Sequence, residues 1–336
     1  MILPTKTTRL QISLVSLLMA VVILALKFLA YIFTGSVALK SDAMESVVNV
    51  ASAFFTVGAI LFADRPADKS HPYGHGKIEY FSAAFEGGLI SLASILILYE
   101  AASAWIEGPH VKELGSGIWL NLGAGTLNGL LGWWLLRAGR KNNSKAIEAD
   151  GHHVLSDFYT TLGLAGGLII VKMTGYYWLD SALAAAIGLF LAYTGFKLIR
   201  ESSNALLDHE DPELIGRLVE TLQQTRPLDV IEVHALRTFR SGRYTHVDIH
   251  VSMPEFYSLE KAHDLVDAFG EKTLSSLNLE GEFHAHLDPC RQLYCKNCPV
   301  SPCPIRQAPF VEIKPFSLEK AVSIDPDEIY HPRPNH

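Results

Sequence analysis

Long apolar stretches fill the first 200 residues of the chain, and the remaining residues contain none of comparable length. Six of these stretches are close to or above the ~20 residues that a helix needs to cross a bilayer. They cover residues 10–33, 38–63, 80–106, 116–137, 146–171 and 177–198. Because no small-residue cleavage site follows the first stretch, we expect a retained helix there and not a signal peptide. The pattern predicts an α-helical membrane domain of six transmembrane helices over residues 1–205.

Beyond residue 205 the pattern becomes that of a small soluble α+β domain. Apolar periodicity predicts a helix, two strands, a helix and a strand at residues 212–225, 230–239, 244–252, 259–277 and 282–287. Asp211 and Pro212 suit the N-cap and first turn of the first of these helices. The order α-β-β-α-β occupies residues 206–290. Residues 291–336 are expected to form a Cys-containing C-terminal extension, in which the proline-rich residues 304–336 have no clear core.

Charge separates the two parts and predicts their orientation. The chain has 336 residues and a formal net charge of −7, and acidic residues outnumber basic ones beyond residue 200. This indicates an acidic soluble domain that does not bind nucleic acid. Within the first 200 residues, Lys and Arg concentrate before span one, between spans two and three, between spans four and five, and after span six. By the positive-inside rule both termini are expected in the cytoplasm. We expect a multi-pass protein of the inner (plasma) membrane.

Two predicted spans contain polar side chains with metal-ligand chemistry. Glu45 and Asn49 are four residues apart in span two, and His153 and Asp157 are four apart in span five, so each pair shares a helix face. Together they would offer three oxygen atoms and one imidazole nitrogen to a divalent cation. A carboxylate at bilayer depth marks a functional site by default. Structural contacts between helices are disfavoured, because burying unpaired carboxylates costs several kcal/mol.

Three more polar residues in the predicted spans could each have more than one role. Asp42 lies one turn before Glu45 and could add a ligand, although an acid that caps or orients is more usual there. Glu86 in span three could relay protons, pair with Lys27 of span one, or form a polar contact between helices. Lys27 could also extend its amine towards the membrane surface.

Further candidate ligands lie outside the spans. Asp68, His71 and His75 fall in eight residues of the loop after span two, where Gly74 and Gly76 permit tight turns. The alternative is a polar loop with solvated histidines. The predicted soluble domain adds five candidates, for which solvated surface residues are again the alternative: His234, His250, His263, His286 and Asp288.

All four cysteines fall in one short segment with the spacing C-x4-C-x2-C-x4-C, at Cys290, Cys295, Cys298 and Cys303. In a cytosolic tail, clustered thiols indicate metal ligands and not disulfides. A structural Zn²⁺ site is favoured, with an iron–sulfur cluster and free reduced thiols as the alternatives.

These motifs resemble those of the cation diffusion facilitator family, and more closely its bacterial iron/zinc-type efflux branch. The resemblance covers about residues 8–290. It rests on four segments: Ser41–Asn49, Asp68–Glu79, His152–Asp157 and His286–Asp288. It implies six transmembrane helices, a cytoplasmic metallochaperone-like domain, a homodimer, and exchange of a cytoplasmic divalent cation for protons.

The resemblance also implies roles for particular residues. It assigns the transport site to Glu45, Asn49, His153 and Asp157, although common members have Asp or His first and Asp second on span two. It assigns a lesser site to the loop ligands at residues 68–75. In the soluble domain it implies one ion at His234, His250 and Asp288 and another at His263, His286 and Asp288, with one ligand coming across the dimer. His246 and His284 have no such counterpart and are expected on the surface.

The sequence therefore predicts a proton-coupled antiporter that exports divalent metal cations and is not an enzyme. Zn²⁺ fits the mixed oxygen and nitrogen ligands best, and Fe²⁺, Mn²⁺, Co²⁺ and Cd²⁺ are further candidates, whereas Cu⁺ would require thiols. Metal binding needs deprotonated ligands, so metal and protons compete for one site. The alternatives are a membrane-bound metal sensor or storage protein without net transport, and a membrane metalloenzyme. Because the sequence has no nucleophile motif, phosphate loop or nucleotide fingerprint, neither enzyme activity nor a nucleotide partner is expected.

Overall fold

The computed structural model describes residues 6–34, 37–107, 117–176 and 178–324. Contacts divide the chain into two compact units, the first ending at Leu207 and the second beginning at Asp208.

The first unit contains the six predicted helices, each 25 to 30 residues long. At a rise of 1.5 Å per residue, each is longer than the ~30 Å hydrocarbon core of a bilayer. All six helices predicted from the sequence are therefore present, and each is long enough to span a bilayer. They are α1 (Lys6–Thr34), α2 (Val37–Ala63), α3 (Ile78–Glu107), α4 (Gly117–Lys141), α5 (Lys145–Thr174) and α6 (Trp178–Leu206).

Within the described residues, three segments are long and apolar enough to cross a membrane by length and composition alone. They are Thr8–Leu29, Ser46–Ala63 and Ile78–Ser103, in α1, α2 and α3. The first half of α5 is more polar, with Glu148, Asp150, His153 and Asp157 in ten residues. A helix of this kind is stable in a bilayer when its polar face is covered by neighbouring helices.

The helices of the first unit pack mainly as the pairs α3 with α6, α4 with α5, and α1 with α2, and α2 also contacts α5. α3 and α6 come close at Gly87 and Gly195. A Cβ atom on Gly87 would lie 2.9 Å from the carbonyl oxygen of Gly195, and one on Gly195 would lie 2.8 Å from that of Gly87. Small residues at these positions allow the two backbones to touch.

A buried ionic cluster joins four segments at one end of the bundle. The guanidinium of Arg9 in α1 is 1% exposed and donates to Asp64, just after α2, at 3.3 Å. It also donates to Glu79 in the first turn of α3 and, at 3.2 Å, to Ser144 just before α5. Ser144 donates in turn to Glu79 at 2.5 Å. Each carboxylate that is taken out of water here thus contacts the arginine.

The second unit has the predicted order α-β-β-α-β. Its elements are α7 (Pro212–Thr225), β1 (Glu232–Ser241), β2 (Tyr244–Met253), α8 (Leu259–Ser276) and β3 (Glu280–Pro289). β2 lies in the centre of the sheet, antiparallel to β1 and parallel to β3. The carboxylate of Asp211 accepts from two backbone N–H groups in the first turn of α7, as a capping residue does. Alternate β2 residues bury one sheet face in a core shared with α7 and α8 and leave the histidine-bearing side chains on the other face.

The expectation that residues 304–336 have no clear core is wrong for those that the structure describes. A short 3-10 helix spans Gln292–Lys296, and α9 spans Leu318–Val322. We call residues 291–324 the strap. Phe316 and Ala321 of the strap are buried in the core of the second unit. The sequence does not reveal this attachment, because two isolated apolar side chains in a proline-rich segment form no helical or strand pattern.

Candidate metal sites

The structure brings together three of the four side chains predicted for the transport site, between α2 and α5. Asn49, His153 and Asp157 are all buried, with exposures of 8%, 5% and 4%. The amide oxygen of Asn49 lies 3.0 Å from Nε2 of His153, and its amide nitrogen donates to the carboxylate of Asp157. The side chains of Glu45 and Asp42, the remaining residues predicted for this site, lie outside the described residues.

Glu86 of α3 belongs to the same buried region. Its side chain is 0% exposed, and one carboxylate oxygen accepts hydrogen bonds from Ser52 at 2.5 Å and Thr56 at 3.3 Å, both on α2. The other oxygen lies 4.0 Å from Nδ1 of His153. This position of Glu86 fits a polar contact between helices and a proton relay, and its pairing with Lys27 stays a prediction. Lys27 is buried as well.

Asp150 is a buried acid that the sequence analysis missed. It is 1% exposed and accepts a hydrogen bond of 2.6 Å from Ser16 of α1. Its position seven residues before Asp157, two helical turns on the same face of α5, is the signal that could have identified it. Its carboxylate is in electrostatic range of Glu86, His153 and Asp157. Three acids around one imidazole make this region suited to a cation or to protons.

The side chains of Asp68, His71 and His75, the candidate loop ligands, lie close together. One carboxylate oxygen of Asp68 lies 3.2 Å from Nδ1 of His71, and the other lies 3.3 Å from Nε2 of His75. Backbone hydrogen bonds to this carboxylate, above all from His71, lower the pKa of Asp68. Gly74, at φ +78°, makes the turn between the two histidines. The three ligand atoms lie within 4.8 Å of one another, so one ion could contact all of them.

The outer face of the sheet carries a second cluster, made by neighbouring strands. His234 of β1 and His250 of β2 are opposite each other in register, and His286 of β3 is opposite His250. Asp288 lies 3.2 Å from His234, 3.1 Å from His250 and 3.5 Å from His286. The ligand atoms of His234, His250 and Asp288 all lie within 4.8 Å of one another.

His263 is the predicted cytoplasmic ligand that does not join this cluster within one chain. It lies on α8, is 65% exposed, and pairs with Asp267 at 3.4 Å. A role for His263 at the cluster on the sheet therefore requires a second copy of the chain.

The expectation that His246 is a surface residue is wrong. It is 3% exposed and stacks on Phe239, with ring centroids 4.5 Å apart and ring planes 11° apart. Burial lowers the pKa of His246. With Glu282 and the exposed His284 it forms a further group whose ligand atoms lie within 4.8 Å of one another. Sequence alternation placed His246 on the outer face correctly, but an aromatic neighbour from β1 covers it.

The four cysteines of the predicted tail site line one small cavity, formed where the strap leaves β3. Burial raises the pKa of the thiols of Cys290 and Cys298. Cys295 and Cys303 are less deeply buried than Cys298.

Comparison with known proteins matches both units of the chain. The family model described as the cation efflux transmembrane domain matches residues 13–207, and the one described as the cation efflux protein, cytoplasmic domain, matches residues 211–290. An uncharacterized transporter of Synechocystis sp. is 34% identical over 270 residues, which cover 80% of this chain and 87% of the relative. The cation-efflux pump FieF of Yersinia enterocolitica is 29% identical over 81% of this chain and 89% of its own length. The pump of the same name from Shewanella oneidensis is 27% identical over 80% and 90%. The strap lies beyond both family matches.

Proposed function

The chain belongs to the cation diffusion facilitator family, and on this premise we propose that it is a proton-coupled antiporter that exports Zn²⁺ from the cytoplasm. Family membership makes it a multi-pass membrane transporter of divalent metal cations with a cytoplasmic domain. The choice of Zn²⁺, the proton counter-ion and the residues involved are the content of the proposal.

The convergence of Asn49, His153 and Asp157 between α2 and α5 is the observation that carries the proposal. An amide oxygen, an imidazole nitrogen and a carboxylate oxygen are three of the four ligands of a tetrahedral zinc site. Glu45, one helical turn before Asn49, is the proposed fourth ligand. Fe²⁺, Mn²⁺, Co²⁺ and Cd²⁺ accept the same mixed donor set, so the donor set supports Zn²⁺ without excluding them.

Proton coupling follows from the chemistry of these ligands. Asn49 does not titrate, so proton uptake falls to His153, Asp157 and Glu45. A cation binds their deprotonated forms, and protons arriving from the opposite side displace it. Glu86, 4.0 Å from His153, is placed to pass a proton to or from the imidazole.

The cytoplasmic domain is proposed to form a metal-dependent homodimer. The match to the cytoplasmic domain of cation efflux proteins supports this, as does the position of His263 away from the cluster in its own chain. We propose one ion at His234, His250 and Asp288, and a second at His286 and Asp288 with His263 of the opposite protomer. The loop at Asp68–His75 is proposed as a lesser site near the membrane surface. The basic loops support an orientation with both termini in the cytoplasm, in the inner (plasma) membrane.

A membrane-bound sensor or storage protein is the second candidate, and the solvent-accessible ligand clusters favour it. Flux into sealed vesicles separates the two functions. The full chain is reconstituted with a Zn²⁺ indicator trapped inside and an imposed pH gradient. We expect the wild-type protein to move Zn²⁺ and a matched proton current to appear. A protein that binds Zn²⁺ without flux would be a sensor or store.

Two adjacent histidines provide a matched pair of variants for the same assay. His153→Ala should abolish flux, whereas His152→Ala should leave it near the wild-type rate, because His152 is one residue away and makes none of the contacts among Asn49, His153 and Asp157. Equal flux in the two variants would remove His153 from the site.

A further inference from the structure

Four cysteines line one cavity at the start of the strap. Cys290 directly follows β3, Cys295 lies in the 3-10 helix, and Cys298 and Cys303 lie in the loop behind it. All four are free thiols. Four thiols around one small cavity match the ligand set of a closed, structural zinc site.

The backbone that carries these thiols is held in place. The N–H of Cys290 donates to the carbonyl of Met253, at the end of β2, at 2.8 Å. Cys298 is 7% exposed and packs with Ile231 and Tyr294 in a small apolar cluster of its own. Among the described residues, no three of the four sulfur atoms lie within 4.8 Å of one another. Binding of one ion by all four thiols would therefore require the cysteine side chains to turn about χ1.

Arg306 braces the loop around the cavity. Its guanidinium donates to the carbonyl oxygens of Cys295, Cys298 and Val300, each at 2.8 Å. Arg306 and Arg291 both line the cavity. Four thiolates around Zn²⁺ carry a net charge of −2, and two neighbouring guanidinium groups offset that charge in place.

The far part of the strap is attached to the core of the second unit. The ring of Phe316 lies under the guanidinium of Arg226 at 4.2 Å, and its N–H donates to Gln223 at 2.8 Å. The N–H of Ala235 in β1 donates to Ser323 at 2.8 Å. Between β3 and Phe316 the only helix or strand of the strap is the short 3-10 helix.

We propose that Cys290, Cys295, Cys298 and Cys303 bind one structural zinc ion that fixes the strap to the cytoplasmic domain. Binding converts four thiols to thiolates and releases four protons to solvent as four zinc–sulfur bonds form. This ion is not transported. Three of its four ligands lie beyond both family matches, Cys290 being the last residue of the second match. The site shares no ligand with the proposed transport or dimer sites.

Metal analysis of the full chain in detergent tests the proposal. The background variant His234→Ala with His286→Ala removes metal from the sheet cluster. Adding Cys295→Ser with Cys298→Ser should lower bound zinc by about one ion per chain. Cobalt substitution of the background protein should give the intense visible bands of a tetrahedral tetrathiolate site, and the quadruple variant should lose them. Unchanged zinc content, or iron with acid-labile sulfide in place of zinc, would overturn the proposal.

A second measurement protects the test against a variant that fails to fold. Zinc is stripped from the thiols of the background protein with a mercurial and a chelator, then restored. Tryptic cleavage at Lys296 and Arg306 should speed up on removal and return to its starting rate on restoration. Vesicle flux of the cysteine variant should stay near the wild-type rate, even if the transported metal is not zinc. Unaltered cleavage, or flux lost together with the thiolate zinc, would refute a purely structural ion.

Discussion

The side-chain amide of Asn49 bridges His153 and Asp157, with its oxygen 3.0 Å from Nε2 of His153 and its nitrogen donating to the Asp157 carboxylate. One neutral residue on α2 thereby orients both candidate ligands on α5. Because the amide is neutral and does not titrate, the charge of the site and its proton uptake come from the other side chains.

Replacing this amide with a carboxylate should change which cation is preferred. Asn49→Asp adds one negative charge and one titrating group at the ion, so we expect flux to shift in favour of Zn²⁺ over Mn²⁺ and to depend more steeply on pH. Vesicle flux of Zn²⁺, Fe²⁺, Mn²⁺, Co²⁺ and Cd²⁺ across a pH series measures both effects. Asn128→Asp, at a similarly buried amide on α4, is the control. An unaltered metal ranking and pH profile in Asn49→Asp would exclude Asn49 as a ligand.

Removing the carboxylate of Asp157 should stop transport without unfolding the protein. Asp157→Ala deletes a proposed charged ligand, and we expect a loss of flux of about a hundredfold or more, since changes even to residues that contact metal ligands cost 10–100-fold. Thermal stability in detergent should remain near that of the wild-type protein, because the deletion also removes a buried charge. Near-normal Zn²⁺ uptake would show that the ion binds elsewhere.

Zinc should draw the two cytoplasmic domains of a dimer together. An ion that binds only the closed pair stabilises it by mass action. Energy transfer between labels on the two domains should rise on Zn²⁺ addition, and His263→Ala with His286→Ala should weaken the response. His284→Ala is a matched control, since His284 and His286 share one face of β3 and are 59% and 66% exposed. A constant distance in the wild-type protein would contradict metal-driven closure.

His246 should make the stability of the cytoplasmic domain sensitive to acid. Burial against Phe239 lowers the pKa of its imidazole, whereas the neighbouring Glu282 and Asp248 oppose that shift and His284 adds to it. The unfolded chain then takes up a proton near pH 6.5 that the folded domain resists. This contribution to stability is present above that pH and is lost as the pH falls towards the lowered pKa. In chelator-treated protein, His246→Phe should flatten the fall in melting temperature on acidification, and His284→Phe should not.

The sequence predicts most of the fold because its signals are local. Apolar runs and helical spacing predict α1–α6, and alternation predicts β1, β2 and β3. The proximity of Asn49 and His153 is predicted because each lies on the polar face of its helix. The other buried groups depend on tertiary contacts that spacing does not encode. Glu86 is held by hydrogen bonds from Ser52 and Thr56 of α2, and His246 is buried by the ring of Phe239 of β1. Family membership rests on the same short motifs, whereas the strap is anchored by Phe316 and Ala321, which no local pattern distinguishes.

The cluster around Arg9 has a consequence for how the bundle can move. Separating the partners of a buried ion pair leaves an uncompensated charge and costs about 3–5 kcal/mol. The segments at Arg9, Asp64, Glu79 and Ser144 should therefore stay together and act as a fulcrum, the point about which the helices pivot. Any rearrangement that exposes Asn49 first to one side of the membrane and then to the other would then be a rocking motion, small at this end and large at the far ends of the helices. We expect Arg9→Gln to loosen this end of the bundle so that both ends can open at once, in which case the proposed exchanger would leak protons.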